Sequence, residues 1–209
     1  MNAAASINHA DHRILIVDDE PTLRMGFEFA LQTEGYEIEG APDGEKAIQR
    51  LTDTTLPPVS VVLLDLRMPG KDGLEVLAAL SEKKIFVPTV LASAFMDSDT
   101  AIRAVDKGVV DFLRKPTTPD ELRNAVATVV AEETGVDLTE MSEVRRQIRQ
   151  RNLEKADQLL ESIDTEERKI WKFITSHLLA CRNGSEENET AFASSNFYRA
   201  ADLLNLLTD

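Results

Sequence analysis

The chain has 209 residues, 43% of them hydrophobic, with one cysteine and a formal net charge of −14. That length supports one large domain, or a domain of about 120 residues with a smaller companion. No apolar run nears the roughly 20 residues a bilayer crossing needs. The lone Cys181 excludes an intramolecular disulfide and fits a reducing cytoplasm. Neither half is basic (−8 through residue 131, −6 beyond it), which argues against a nucleic-acid partner.

Residues 1–12 lack a charged-then-apolar leader pattern and read as a disordered tail. Residues 13–17 form an apolar run stopped by Asp18, Asp19, Glu20 and Pro21, as suits a strand buried on both faces. A helix follows over 22–33, with Leu23, Phe27, Ala30 and Leu31 on one face and Gly35 as its stop. A short strand is expected over 36–41, then a helix capped by Asp43 and reaching about Thr52. The second fully apolar strand spans 59–64 and runs into Asp65. Beyond it come a helix over 72–80, a strand over 86–92, a helix over 97–107, a strand over 109–113 and a helix over 119–131.

Five strand–helix units in succession imply an α/β fold, a parallel sheet with helices on both faces. Sites in such sheets form beyond the carboxyl ends of the strands. Asp18, Asp19, Asp65, Ser93 and Lys115 all follow strands and are expected to converge there. Three carboxylates gathered at one edge repel, each pair by about 4 kcal/mol at 4 Å and an effective dielectric of 20. A cation relieves this, and hard oxygen ligands at an open edge suit Mg2+. Lys115 offers a cation for an acyl phosphate on Asp65. Ser93 offers a hydroxyl donor, and Phe112 can fill the space behind it. Pro116 permits a cis peptide after Lys115.

The segments 17–21 (Val-Asp-Asp-Glu-Pro), 65–74 (Asp-Leu-Arg-Met-Pro-Gly-Lys-Asp-Gly-Leu), 92–94 (Ala-Ser-Ala) and 108–116 (Gly-Val-Val-Asp-Phe-Leu-Arg-Lys-Pro) together resemble the receiver domain of two-component response regulators. The resemblance covers about 120 residues. It implies a flavodoxin-like, doubly wound five-stranded sheet of order 2-1-3-4-5 over 13–132. It also implies roles. Asp65 would be the phosphoacceptor. Asp19 and Asp65 would hold Mg2+ with the Arg67 carbonyl, and Asp18 would act through water. Ser93 and Lys115 would bind the phosphoryl group, and Ser93 and Phe112 would form the switch. The donor would be a sensor histidine kinase or a phosphotransfer protein. The domain would catalyse its own phosphorylation and dephosphorylation without being an enzyme in the ordinary sense. A flavin carrier of similar fold would need a Ser/Thr/Gly-rich phosphate loop after the first strand, where Asp-Asp-Glu stands instead.

Beyond Glu132 the pattern changes. Residues 133–142 read as a linker and 143–209 as a small all-α domain, with helices near 143–163, 165–182 and 190–207 and a loop over 183–189. Residues 152–160 and 196–204 align weakly at a period of 44, resembling helical-hairpin repeats without that family's Trp, Gly and Pro pattern. Arg145, Arg146, Arg149 and Arg151 read as a solvated helix face. Trp171, Phe173, Ile174 and Leu178 read as core, Cys181 as a small buried hydrophobe, and His177 as an ordinary helical histidine. No basic recognition helix is visible. The expected output is contact with a downstream protein or a second copy of the chain, through a stripe of Val144, Ile148, Leu153, Ala156, Leu160 and Ile163. The alternative is a transcription regulator with an atypical DNA-binding domain.

Overall fold

The computed structural model describes residues 7–94, 98–134, 140–150, 152–163, 171–172, 174–176 and 178–179. Five strands alternate with five helices: β1 Arg13–Val17, α1 Pro21–Gln32, β2 Glu37–Ala41, α2 Gly44–Thr52, β3 Val61–Asp65, α3 Gly73–Glu82, β4 Thr89–Ser93, α4 Ser98–Asp106, β5 Val109–Arg114 and α5 Pro119–Thr134. Beyond them run α6 Glu140–Arg149 and α7 Leu153–Ser162, and the described residues from Trp171 to Leu179 are helical as well. All strand pairs are parallel, in the order β2-β1-β3-β4-β5. This is the doubly wound sheet the alternation predicts.

The apolar runs explain the sheet's burial. β1 from Ile14 to Val17, all of β3 and all of β4 are buried. On one face Ile14, Ile16, Val61, Leu63, Val90 and Ala92 pack with Phe27 and Leu31 of α1 and with Leu122, Val126 and Val129 of α5. The alternate residues Leu15, Val17, Val62 and Leu64 are equally buried, as the two-residue period of a strand requires when both faces are covered. A register shift at Thr89/Val90 places an extra residue in β5. Val110 and Leu113, three apart, therefore join the same core cluster.

Helix starts follow local chemistry. Pro21 opens α1. Asp43 caps α2 by accepting from the Lys46 amide at 2.7 Å. Asp72 and Glu75 form a reciprocal capping box at α3, both bonds 2.9 Å.

Some elements depart from the sequence reading. β4 begins at Thr89 rather than at residue 86. Pro88 has no amide to donate, although its carbonyl accepts from Val62, and Phe86 is exposed. Residues 7–12, read as tail, include a 3-10 turn over His9–Asp11. There His9 stacks on Tyr36 with ring centroids 4.4 Å apart, and Ile7 packs against the core. Met1–Ser6 lie outside the described residues.

The chain divides into two compact units: Met1–Phe95 with Asp106–Asp137, and Met96–Val105 with Leu138–Asp209. In the second, the helix expected over 143–163 is two helices. Asn152 breaks it: its amide donates to the Gln147 carbonyl at 2.9 Å and its side chain to Gln147 Oε1 at 3.0 Å. The apolar stripe of Val144, Ile148, Leu153, Ala156, Leu160 and Ile163 is buried, as are Trp171, Ile174 and Leu178. Arg145 departs from the solvated face expected of it and is only 4% exposed, while Arg146 is exposed and pairs with Glu143 at 2.6 Å. Arg151, Phe173, His177, Cys181, the loop over 183–189, the helix expected over 190–207 and the second copy of the weak repeat lie outside the described residues, as does the Arg149 side chain.

Candidate functional site

The sheet delivers its strand ends in step. Val17 is level with Leu64, Asp65 with Ala92, and Ser93 with Arg114. The residues at or just past those ends are Asp18, Asp65, Ser93 and Lys115, and a parallel sheet brings them to one edge. Asp18 and Asp65 are 2% and 6% exposed, Ser93 is buried, and Asp19 faces solvent. One oxygen from each of Asp18, Asp19 and Asp65 lies within 4.8 Å of the others. Lys115 Nζ sits 2.7 Å from Asp18 Oδ2 and 2.8 Å from Asp65 Oδ1. The Lys115–Pro116 peptide is cis.

Two carboxylates share one ammonium here, and the consequences are asymmetric. Burial raises the Asp65 pKa above the ordinary carboxylate value. The hydrogen bond and charge of Lys115 pull it back, nearby Asp18 pushes it further up, and a backbone hydrogen bond from Arg67 lowers it. Burial opposes the charge on Lys115, but its bonds to Asp18 and Asp65 outweigh that, and its pKa is raised. The lysine is over-satisfied and Asp65 under-satisfied. Three carboxylates against one ammonium leave two negative charges, on hard oxygen atoms, for a divalent cation to neutralise.

Backbone contacts fix this arrangement. Asp18 Oδ1 accepts from the Glu20 amide at 2.9 Å, and the Asp18 carbonyl accepts from Arg24 Nη1 at 2.7 Å, which ties the first turn of α1 to the site. The Lys115 amide donates to the Ser93 carbonyl at 2.9 Å. Gly73 opens α3 directly under Asp65: a Cβ there would lie 2.7 Å from the Asp65 carbonyl oxygen, so only glycine admits this approach. Ser93 and Phe112 share a sheet face, because Leu91 pairs with Phe112 and Ser93 with Arg114.

The sequence-predicted residues Asp18, Asp19, Asp65 and Lys115 are thus brought together. Ser93 stands at the neighbouring strand end, Phe112 is half-buried on the Ser93 face, and Arg67 reaches Asp65 through its backbone while the residue as a whole is exposed. Sequence reasoning missed Gly73 and Arg24. A glycine opening an amphipathic helix eight residues past the key aspartate was the available signal for the first. An arginine one turn past Glu20 was the signal for the second.

The response regulator receiver domain family model matches residues 14–127, more than half of the chain. The chain belongs to the response regulator receiver family. Similar proteins include the alginate biosynthesis transcriptional regulatory protein AlgB of Pseudomonas aeruginosa, 37% identical over 118 residues, 55% of this chain and 25% of that one. Another is the transcriptional regulatory protein PdtaR of Mycobacterium tuberculosis, 36% identical over 120 residues, 57% of either chain. The match thus spans a quarter to just over half of these relatives. Among solved structures, a response regulator receiver domain protein from Clostridium thermocellum superposes with a TM-score of 0.54 at 25% identity, over 60% of this chain and 99% of that one. Vibrio cholerae chemotaxis protein CheY4 gives 0.51 at 26% identity, over 56% and 98%.

Receiver domains bind Mg2+ at an acidic pocket, and in this receiver the Asp18–Asp19–Asp65 cluster is the pocket that fits. Its residual negative charge and oxygen-only donors match that ion. No described helix is long and apolar enough to cross a membrane.

Proposed function

We propose that this receiver accepts a phosphoryl group on Asp65 from a histidine kinase or phosphotransfer protein, and passes the signal on through protein contact by its C-terminal helices. The observation that carries this is the Lys115 ammonium bridging Asp18 and Asp65 at 2.7 and 2.8 Å, beside a third carboxylate. A carboxylate held under-neutralised in a buried pocket is a nucleophile with a charge partner already positioned.

An Asp65 oxygen attacks phosphorus and forms the acyl phosphate bond as the bond from phosphorus to the donor imidazole nitrogen breaks. The imidazole leaves with the electron pair and takes up a proton. Lys115 turns its charge to the new phosphoryl oxygens, and the Ser93 hydroxyl donates to one of them. Asp19, Asp65 and the Arg67 carbonyl, with Asp18 beside them, would hold Mg2+, which would supply positive charge against the phosphoryl oxygens. Movement of Ser93 makes room on the face it shares with Phe112, and the surface of α4, β5 and α5 changes with it. Receiver residues 13–132 carry the chemistry in the cytoplasm, 133–142 link, and 143–209 supply the output. The domain speeds its own phosphorylation and dephosphorylation and turns over no separate substrate.

The test is labelling by acetyl phosphate or a phosphohistidine donor in Mg2+. The chain takes up about one phosphoryl group per molecule and Asp65→Asn none; stoichiometric labelling of the variant would refute the assignment. Transcription control is the second reading, favoured by relatives that are transcriptional regulatory proteins. A phosphorylation-dependent gel shift on genomic fragments supports it, and its absence beside a phosphorylation-dependent pull-down supports protein contact.

A further inference from the structure

Asp19 is the exposed member of the acidic cluster. Among the described residues, no hydrogen bond or ion pair holds its carboxylate. Its direction is set instead by the two peptides that flank it. The peptide after Asp19 is pinned because the Glu20 amide donates to Asp18 Oδ1 at 2.9 Å. The peptide before it is pinned because Arg24 Nη1 donates to the Asp18 carbonyl at 2.7 Å. A peptide unit is planar, so fixing the Asp18 carbonyl also fixes the Asp19 amide. Asp18 has other anchors. Its amide donates to the Ala41 carbonyl at 3.2 Å, and its carboxylate is held by the Glu20 amide and Lys115. The effect of Arg24 therefore falls on Asp19.

The edge strand makes room for this contact. A Cβ on Gly40 of β2 would lie 3.1 Å from Arg24 Cδ and 3.4 Å from Arg24 Nε, and would strike Glu28 Oε1. The Arg24 stem thus lies against bare backbone, one residue before Ala41, whose carbonyl holds the Asp18 amide. Glu28, one turn along α1, brings an opposite charge to the same place.

We infer that Arg24 is a positioning residue that presets Asp19 for a divalent cation, with Gly40 as the gap that admits it. The inference rests on the proposed role of Asp19 in holding Mg2+. Two effects of Arg24 oppose each other. Its charge repels an incoming cation, but water, salt and Glu28 weaken that repulsion. Its hydrogen bond orders the backbone of Asp19 before the ion arrives. Ordering one residue's backbone is equivalent to about five- to thirtyfold in a binding constant. Arg24 supplies one of the two anchors, so the lower end of that range applies, and ordering outweighs repulsion.

The full chain, stripped with chelator, is titrated with MgCl2 by calorimetry, with thermal unfolding measured alongside. Arg24→Met removes both the donor and the charge. It is expected to weaken Mg2+ binding about fivefold and to shift or broaden the Asp19 and Glu20 amide signals in nitrogen-15 NMR. Arg24→Lys, with a donor and a charge on a similar stem, is expected to restore most of the affinity. Gly40→Ala leaves Arg24 in place and crowds its stem. It is expected to weaken Mg2+ binding about twofold or more, and it keeps the experiment decisive where Arg24→Met fails to fold. Unchanged or tighter Mg2+ binding in Arg24→Met and Gly40→Ala overturns the inference, even where thermal stability falls, because that loss alone marks a merely structural contact. A natural chain that takes up no Mg2+ overturns the metal role of Asp19, and the inference with it.

Discussion

Replacing Asp65 with asparagine is expected to stabilise the sheet-containing unit in metal-free buffer while abolishing its chemistry. Asparagine keeps the shape and can still accept a hydrogen bond from Lys115. At an effective dielectric of 20, the attraction between Lys115 and Asp65 across 2.8 Å is about 6 kcal/mol. Repulsion from buried Asp18, with oxygens within 4.8 Å, returns about 3.5 kcal/mol. Asp19 faces water, and its share falls to about 1 kcal/mol at a dielectric of 80. The charges thus leave only about 1.5 kcal/mol in favour of ionised Asp65, against several kcal/mol for burying a carboxylate. The neutral variant is therefore expected to gain about 2 kcal/mol, or roughly 8 °C in the midpoint of that unit. The raised pKa of Asp65 fixes the pH dependence. The folded state holds the proton more tightly than the unfolded one, so stability falls as pH rises from about 3.9 through the raised folded value. Asp65→Asn lacks that loss. Mg2+ at ten times its dissociation constant adds about 1.4 kcal/mol to the natural chain and less to the variant, narrowing the gap. Thermal unfolding with and without chelator, between pH 4 and 7, measures all of this. A variant less stable than the natural chain at pH 7 without metal would sink the reasoning.

Lys115→Gln leaves Asp18 and Asp65 buried with no ammonium between them; a loss of about 3–5 kcal/mol is expected, partly restored by Mg2+, and denaturant unfolding in both conditions checks it. Gly73→Ala forces a methyl to within 2.7 Å of the Asp65 carbonyl oxygen; about 1–3 kcal/mol of destabilisation and slower labelling by acetyl phosphate are expected, and unaltered labelling would count against the cradle role. Met25 and Phe29, one turn apart on α1 and 66% and 71% exposed, form an apolar stripe on the helix that starts beside the site. Replacing both with Ser is expected to slow transfer from a phosphohistidine protein about tenfold or more and to leave acetyl phosphate labelling unchanged; equal effects on both donors would dismiss the stripe as a docking surface.

Much of the fold was legible because it rests on patterns a sequence displays directly. Short apolar runs such as 14–17, bounded by turn residues and alternating with helical patterns, fit strands covered on both faces, and acids or a lysine straight after such runs in a parallel sheet meet at one edge. What escaped depends on partners distant in sequence. Pro88 ended a run whose hydrophobicity continues on both sides. The break at Asn152 is set by its bonds to Gln147, which the periodicity of Val144, Ile148 and Ala156 does not reveal. Arg145 belongs to a polar run yet is buried, because a single arginine does not announce which way it faces. Least legible was α4: Ala101, Ile102 and Val105 specify a buried helical face without naming the surface that buries it.

The site's legibility and its function share one cause. A sheet edge that gathered only mutually satisfied charges would be inert. Lys115 has two acceptors, and Asp65 has half a cation, so the unphosphorylated pocket sits in electrostatic imbalance. On the proposed role of Asp65, a phosphoryl group would add negative charge to the one position already lacking enough positive charge, and would draw on Lys115, the Ser93 hydroxyl and a divalent ion together. Recruitment of Ser93 would act at the end of β4, after which the chain runs on to α4. On that role, an imbalance confined to a few side chains would act on the root of α4. The magnitude available is that of a few charge-assisted hydrogen bonds, each worth about 1.5–3 kcal/mol. That is comparable with burial of one or two of α4's apolar side chains, at about 1.5–3 kcal/mol each. On the proposed phosphoacceptor role, phosphorylation would supply an energy of the same order as the packing it would have to disturb.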